Sequence, residues 1–205
     1  MMRMRSLFMA LAPGFAAPVQ AAGGFDPNQK PVPFDPAGAR ALLKAAGTPA
    51  QIDFQGNSPL FREVAQAVAG YLIAVGLKGG VKGYEMNIMT NEIIPNGKTA
   101  EMFQFGWDGW TFDYDCTAYM LYRSGERWNP YDKDPILAKT LEDQRLSSDR
   151  AQRGTLLQGV AHYVADHALE IPMHNLNTIF GINEWVKGLV PPADNRFRLT
   201  NVTVD

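Results

Sequence analysis

The sequence predicts an α/β domain built around an open sheet. Segments with the helical spacing of apolar residues alternate with short segments of strand type, and stretches rich in Gly and Pro separate them. The 205 residues suffice for a buried core, and 46% hydrophobic against 20% charged residues is typical of a globular protein. Because the net charge is only -2, the chain lacks the positive field of a nucleic-acid-binding protein, and we expect no nucleic-acid partner.

The first half of the chain alternates between helix and strand. Asp35 has the N-cap position and Pro36 the first position of a helix that stops before Gly47. Alternation of apolar and polar residues around Ile52 and Phe54 indicates a strand. The predicted elements are, in order, a helix over 35–46, a strand around 52–54, a helix over 58–75, a strand over 81–89, a helical turn or loop over 93–97 and a strand over 102–105.

The second half is mainly helical as far as residue 168. Asp149 is the predicted N-cap of its last long helix, in which Val160 and Val164 belong to one apolar face. The predicted elements are helical turns over 118–122, a turn over 129–134, helices over 136–146 and 150–168, strands over 171–173 and 178–182, and a tail over 190–205 with a periodic pattern only at 199–204.

The segment FGWDGWTFDYD, residues 105–115 and here called the aromatic segment, combines two Trp, two Phe and one Tyr with three Asp. Its later residues follow a predicted strand end, where α/β sheets bind ligands. A carboxylate there can pair with a cation, and indole rings exclude water and offer a cation–π face. For Phe105 and Trp107, burial in the core is an equal alternative. The predicted ligand-binding residues are Trp107, Trp110, Asp113 and Tyr114.

Catalytic and metal sites have weaker signals. Asp113 and Asp115 could form an acid–base pair in a small hydrolase, but the sequence identifies no further partner for them. The three histidines lack the spacing of a metal pair, and the single Cys116 excludes an internal disulfide framework. We therefore expect no catalytic residue, no metal and no cofactor.

Two interpretations are open for residues 1–22. Arg3 and Arg5 precede a short apolar stretch that ends in small residues, which is the outline of a secretory signal. Pro13, Gly14 and Pro18 interrupt that stretch, so a helix followed by a Pro/Gly loop inside a folded domain is the alternative. No apolar run reaches the roughly 18 to 20 residues of a transmembrane helix.

Several segments resemble one known family in the same order along the chain. They are FDPAGARALLKAAG (34–47), EVAQAVAGYLIAVGLK (63–78), GWDGWTFDYDCTAYMLYRSG (106–125), NPYDKDPILAKTL (129–141), RGTLLQGVAHYVADHALEIPMH (153–174) and WVKGL (185–189). The pattern is similar to that of family 5 extracytoplasmic solute-binding proteins, the dipeptide- and oligopeptide-type receptors of ABC importers. The resemblance covers nearly all of residues 25–195, and it favours an internal segment over a signal at the N-terminus.

The resemblance implies that the chain contains one lobe of a two-lobed receptor and that the first lobe is missing. It implies a periplasmic-binding-protein-like lobe with an open mixed sheet and helices on both faces. Family members are more than twice as long, so the chain corresponds to their C-terminal part, either as a fragment or as a short relative. The implied division is a helix and linker over 1–31, the α/β lobe over 32–174 and a segment over 175–205 that returns towards the absent first lobe.

The resemblance also implies a role for the aromatic segment. In peptide-binding relatives the aspartate equivalent to Asp113 receives the ligand's amino group, while Tyr114 here replaces a proline and Trp110 replaces an acid. The implied ligand is a peptide or other amine-bearing solute, and the implied partner is an ABC importer permease. We expect a monomeric, non-enzymatic, periplasmic or extracytoplasmic protein that closes two lobes on its ligand. The remaining alternative is a truncated remnant that binds nothing.

Overall fold

The structure is a computed structural model that describes residues 26, 28–46, 52–55, 59–107, 111, 113–131, 133–173, 179–192 and 196–205, with 52–55 described by the backbone alone. The chain divides into two compact units, Met1–Met173 and His174–Asp205. Both interpretations of residues 1–22 lie outside the described residues. The three-part domain division stays a prediction.

Helices and short strands alternate as the sequence predicts, which confirms the α/β class. The elements are α1 (Pro36–Ala46), β1 (Ile52–Gln55), α2 (Pro59–Ala74), β2 (Val81–Tyr84), α3 (Met86–Ile88) followed by a π-helical turn (Met89–Ile93), β3 (Met102–Gln104), α4 (Tyr114–Tyr122), α5 (Pro135–Leu146), α6 (Arg150–Asp166), β4 (Val186–Lys187) and β5 (Thr203–Val204).

The first unit contains an open three-stranded sheet in the order β2-β1-β3. Both pairings are parallel, and Ile52 of β1 is in register with Val81 of β2 and with Met102 of β3. The carboxyl ends of all three strands therefore meet at one edge. Because β3 ends at Gln104, the aromatic segment leaves the sheet at this carboxyl edge, where open α/β sheets place their ligand sites.

Two apolar clusters form the core of the first unit. The first cluster joins α1 to α2 and the residues that follow α2, and it contains Ala39, Leu43, Ala65, Leu72, Val75 and Leu77. The second cluster joins α4, α5 and α6, and it contains Ala118, Tyr122, Leu137, Leu141, Val160 and Val164. Val160 and Val164, which the sequence places on one apolar face of α6, both belong to the second cluster.

Aspartate side chains begin several of the helices. Asp35 Oδ1 accepts a hydrogen bond from the Gly38 amide at 2.8 Å, and Asp134 Oδ1 accepts one from Ile136 N at 2.9 Å. Each cap satisfies amides that have no partner within the helix and stabilises the folded state by about 1 kcal/mol.

The predicted strand over 81–89 is too long. The strand ends at Tyr84, and the chain continues as helix, with Thr90 Oγ1 donating to the Met86 carbonyl oxygen at 2.8 Å. Met89 and Ile94 are fully buried and five residues apart, and Ile94 N donates to Met89 O at 3.0 Å. This five-residue spacing is that of a π-helical turn. The apolar residues after Tyr84 have helical spacing, whereas the prediction assigned them the two-residue period of a strand.

The strands predicted over 171–173 and 178–182 are also wrong for the residues that the structure describes there. Residues 171–173 and 179–183 are irregular, and Pro172 lacks the amide that a sheet ladder needs. The pairing in the second unit instead joins β4 to β5, antiparallel, with Val186 opposite Val204.

A glycine makes this second pairing possible. Gly188 follows β4 with φ of +74°, and a Cβ built on it would lie 2.1 Å from the carbonyl oxygen of Asn201. Phe180 and Phe197 pack edge to face in the same unit, with ring centroids 5.2 Å apart. Of the periodic pattern at 199–204, residues 203–204 form β5 of this antiparallel pair.

Candidate functional site

The aromatic segment connects the carboxyl end of β3 to the start of α4. Phe105, Gly106 and Trp107 continue from β3, and Asp113 is the residue immediately before α4. A Cβ on Gly106 would lie 3.2 Å from Cζ of Phe61, so glycine allows the segment to pass close to α2. Trp110 is one of the predicted ligand-binding residues, and it lies outside the described residues.

Three half-buried rings form a cluster that we call the aromatic wall, consisting of Phe105, Trp107 and Trp128. The ring centroids are 5.8 Å apart for Phe105 and Trp107, 5.0 Å for Phe105 and Trp128, and 5.6 Å for the two Trp. Distances in this range are those of favourable aromatic pairs. The wall joins the predicted Trp107 to Trp128, which lies in the loop after α4.

Trp107 is also hydrogen-bonded to α4. Its indole Nε1 donates to Oγ1 of Thr117 at 3.2 Å. Trp107 therefore packs against the protein's own rings and is hydrogen-bonded along its polar edge, and its predicted role in ligand binding stays a prediction.

Asp113 pairs with Arg153, a residue that the site prediction did not include. Arg153 Nη1 donates to Oδ2 at 2.7 Å and Nη2 donates to Oδ1 at 2.8 Å, so the guanidinium engages both carboxylate oxygens. Oδ1 also accepts from the amide of Asp115 at 2.9 Å as the N-cap of α4. The hydrogen bonds from Arg153 lower the pKa of Asp113, so the carboxylate is ionised and its charge is compensated at neutral pH.

The ion pair between Asp113 and Arg153 is still partly exposed to solvent. The side chain of Asp113 is 34% exposed and that of Arg153 is 27% exposed. Oδ2 accepts a single described hydrogen bond, from Arg153, whereas a carboxylate oxygen has two acceptor positions. The carboxylate can therefore accept one further donor beside the guanidinium.

Asp115 forms a second pair of the same kind with α5. Arg145 Nε donates to Oδ1 at 2.9 Å and Nη2 donates to Oδ2 at 3.1 Å, and Gln144 Nε2 also contacts Oδ1. An acid–base pair needs one carboxyl group held protonated near neutral pH. Arg153 has the opposite effect on the pKa of Asp113, so the geometry gives the hydrolase alternative no support.

Tyr114 is the first residue of α4, where a loop residue was expected. Its half-buried side chain packs against the second core cluster. Burial, and then the charge of Glu170, raise the pKa of its hydroxyl, which stays protonated at neutral pH. Tyr114 can offer a neutral hydroxyl group, but its ring contributes to the packing of α4.

Candidate metal ligands do not cluster in the described part of the chain, where no group of three or more His, Cys, Asp and Glu side chains could hold a metal ion. His162 contacts Asp26 at 2.9 Å, and His167 stacks on Tyr163. No helix among the described residues is long and apolar enough to span a membrane.

Solved structures share this fold over most of the chain. Clavulanic acid biosynthesis oligopeptide binding protein 2 matches with a TM-score of 0.70 and 21% identity over 98% of this chain and 41% of its own. HbpA2 from Haemophilus parasuis matches with a TM-score of 0.65 and 18% identity over 89% of this chain and 38% of its own. DppA from Helicobacter pylori in complex with the peptide STSA matches with a TM-score of 0.57 and 19% identity over 72% and 31%.

The fold is therefore that of a periplasmic-binding-protein-like lobe, as the resemblance implied. The family model described as bacterial extracellular solute-binding proteins, family 5 Middle, matches residues 10–129, more than half of the 205-residue chain, and the chain belongs to this family. No curated protein matches the chain. The chain spans 31% to 41% of the three solved structures that it matches.

Proposed function

We propose that this chain contributes a ligand-binding lobe to the substrate-binding component of an ABC importer. The observation that carries the proposal is the family match over residues 10–129, which includes the whole aromatic segment and Trp128. The component is non-enzymatic and acts outside the cytoplasm, in the periplasm or an equivalent compartment. Its partner is the membrane permease of the importer, and it works as a monomer that closes two lobes on the solute.

The proposed ligand is a peptide or another amine-bearing solute. Two of the matching structures support this class, one by its name as an oligopeptide binding protein and one by its bound peptide. The acidic corner of the aromatic segment supports it independently. The carboxylate of Asp113 is partly exposed and can accept a further donor beside Arg153, and a cationic group is a favourable donor to a carboxylate.

In this proposal the solute lies against the aromatic wall with its ammonium group at Asp113. The ammonium donates to the open acceptor position of Oδ2, next to Arg153. Trp107 and Trp110 exclude water from this ion pair, and Tyr114 lends its neutral hydroxyl group. The positive charge of Arg153 weakens the attraction, so we expect Asp113 to hold an amine less tightly than an unpaired carboxylate would.

The test compares two forms of one short peptide, with a free and with an acetylated amino group, in NMR titrations of the chain. Because a single lobe supplies half of the desolvating surface, we expect dissociation constants in the millimolar range, about 4 kcal/mol of binding free energy. The free-amine peptide should bind more tightly. Asp113→Asn, which keeps a capping side chain but removes the charge, should abolish the preference.

Asp149→Asn is the matched control, because Asp149 caps α6 in the same way and has no predicted role in the site. It should leave the preference intact. Equal affinity for the two peptides in the unmodified chain would contradict the proposed ligand class. Micromolar binding in calorimetry would contradict the expectation that a single lobe binds weakly.

A further inference from the structure

A path of side-chain contacts links α6 to the aromatic wall. It begins at Arg153 in the first turn of α6 and reaches Asp113, which is 40 residues away in sequence. It continues through α4 to Thr117 and ends at Trp107. Arg153 and Thr117 are absent from the residues that the sequence singles out as a site.

The first link, between Arg153 and Asp113, fixes the orientation of the two side chains as well as their separation. Two parallel hydrogen bonds of 2.7 and 2.8 Å join the guanidinium of Arg153 to the carboxylate of Asp113. A bidentate pair of this kind restricts the orientation of both side chains, which a single contact does not. Both side chains are about one-third exposed or less, so water competes only in part for these bonds.

The second link passes through the start of α4. Asp113 caps this helix by accepting the amide hydrogen of Asp115, so the position of Asp113 and that of the first helical turn are coupled. Thr117 lies one turn further on and accepts the indole hydrogen of Trp107 at 3.2 Å. Trp107 in turn contacts both other rings of the aromatic wall.

We propose that Arg153 is a positioning residue of the candidate site: by holding Asp113 at the start of α4, it sets the orientation of the Trp107 indole in the aromatic wall. The proposal rests on the proposed function, since an oriented wall serves a ligand. Among the described contacts, none joins Arg153 to a ring of the wall, so its proposed effect on Trp107 passes through Asp113 and α4.

The neighbouring Arg145 provides a matched comparison. It forms an equivalent two-bond pair with Asp115, from α5 instead of α6, and its guanidinium carbon lies 3.2 Å from the ring centroid of Tyr119. Asp115 does not cap α4. Removing Arg145 therefore breaks an ion pair at the same helix without releasing the residue that joins the aromatic segment to the helix.

The experiment follows the indole N–H signal of Trp107 in the ¹⁵N-labelled full chain, assigned with Trp107→Phe. In Arg153→Gln, hydrogen exchange of this indole should become roughly tenfold faster, because losing the charge-assisted bonds to Asp113 lets the start of α4, and with it the Thr117 acceptor, move away from the indole. Arg153→Lys keeps the positive charge but lacks the two-pronged donor geometry of a guanidinium. It should therefore retain part of the protection of the indole N–H against exchange. Arg145→Gln should leave the exchange rate within about twofold of the original.

Acidification of the unmodified chain gives a second measurement that does not depend on how the variants fold. The charged groups facing Asp113 are Arg153 and Arg150 from α6, with Asp115 beside it on α4. Protonation of Asp113 breaks its ion pair, so the Trp107 indole signal should shift with the same midpoint as the carboxyl carbon of Asp113.

Two results would overturn the positioning role. One is equal acceleration of exchange in Arg145→Gln and Arg153→Gln, which would indicate general loosening of α4. The other is an indole signal that does not follow the titration of Asp113. No ligand is present in these measurements, so failure of the peptide titration would count against the proposed function and not against the role of Arg153.

Discussion

Two helices of the first unit begin with the same cap and differ in what else the capping residue holds. Asp113 at α4 and Asp149 at α6 each accept an amide hydrogen two residues on, at 2.9 and 2.8 Å. Asp149 is exposed and forms no ion pair within the described part of the chain, whereas Asp113 holds both terminal nitrogens of Arg153. Both aspartates have the same capping role, and the long-range pair with Arg153 is what distinguishes Asp113 from Asp149.

The largest expected difference in the free energy of unfolding is between two separate variants, Asp113→Ala and Asp149→Ala. Asp113→Ala should lower the free energy of unfolding by about 2 kcal/mol, from about 1 for the cap and up to about 1 for a partly exposed ion pair. Asp149→Ala should cost only about 1 kcal/mol, since a cap alone is lost. Urea unfolding of the two variants measures this difference. Equal losses would mean that the pair with Arg153 adds nothing to stability.

A milder substitution separates the two contributions. Asparagine caps helices about as well as aspartate, so Asp149→Asn should change the free energy of unfolding by less than about 0.5 kcal/mol. Asp113→Asn keeps the cap and loses the ion pair, and it should cost up to about 1 kcal/mol. The same urea experiment applies, and a larger loss in Asp149→Asn would reverse the comparison.

The smallest expected effect is a dependence on pH. Arg153 lowers the pKa of Asp113 in the folded state below its usual value of 3.8, so the unfolded chain takes up this proton first as the pH falls. The stabilisation is complete well above 3.8 and is lost as the pH falls through the lowered pKa. The stability difference between the original chain and Asp113→Asn should therefore shrink between pH 7 and pH 3, and a constant difference would contradict the linkage.

Local signals in the sequence were sufficient for much of the fold. Asp35 and Asp149 are predictable as caps because an N-cap is defined by the few residues that follow it. The same signal is present at Asp113, which has a second acid in the first turn of α4, but the aromatic neighbours favoured a loop. The predicted helical turns therefore begin at residue 118 instead of Tyr114, although the capping aspartate is visible in the sequence.

The contacts that define the candidate site are of a different kind. The pairs formed by Arg153 and Arg145 span 40 and 30 residues, and no periodicity or motif specifies which arginine meets which aspartate. Such pairs follow from how α4, α5 and α6 pack together. The sequence could therefore indicate a ligand-binding segment, while the partners of its carboxylates required the tertiary structure.

The glycine after β4 limits how the second unit can vary in evolution. A side chain at position 188 would collide with the main-chain oxygen of Asn201, and every amino acid has that oxygen. No replacement of the side chain at position 201 can relieve the collision. The two positions therefore cannot co-vary to accommodate a residue other than glycine at position 188. We expect saturation mutagenesis at position 188 to recover only glycine, whichever residue occupies position 201.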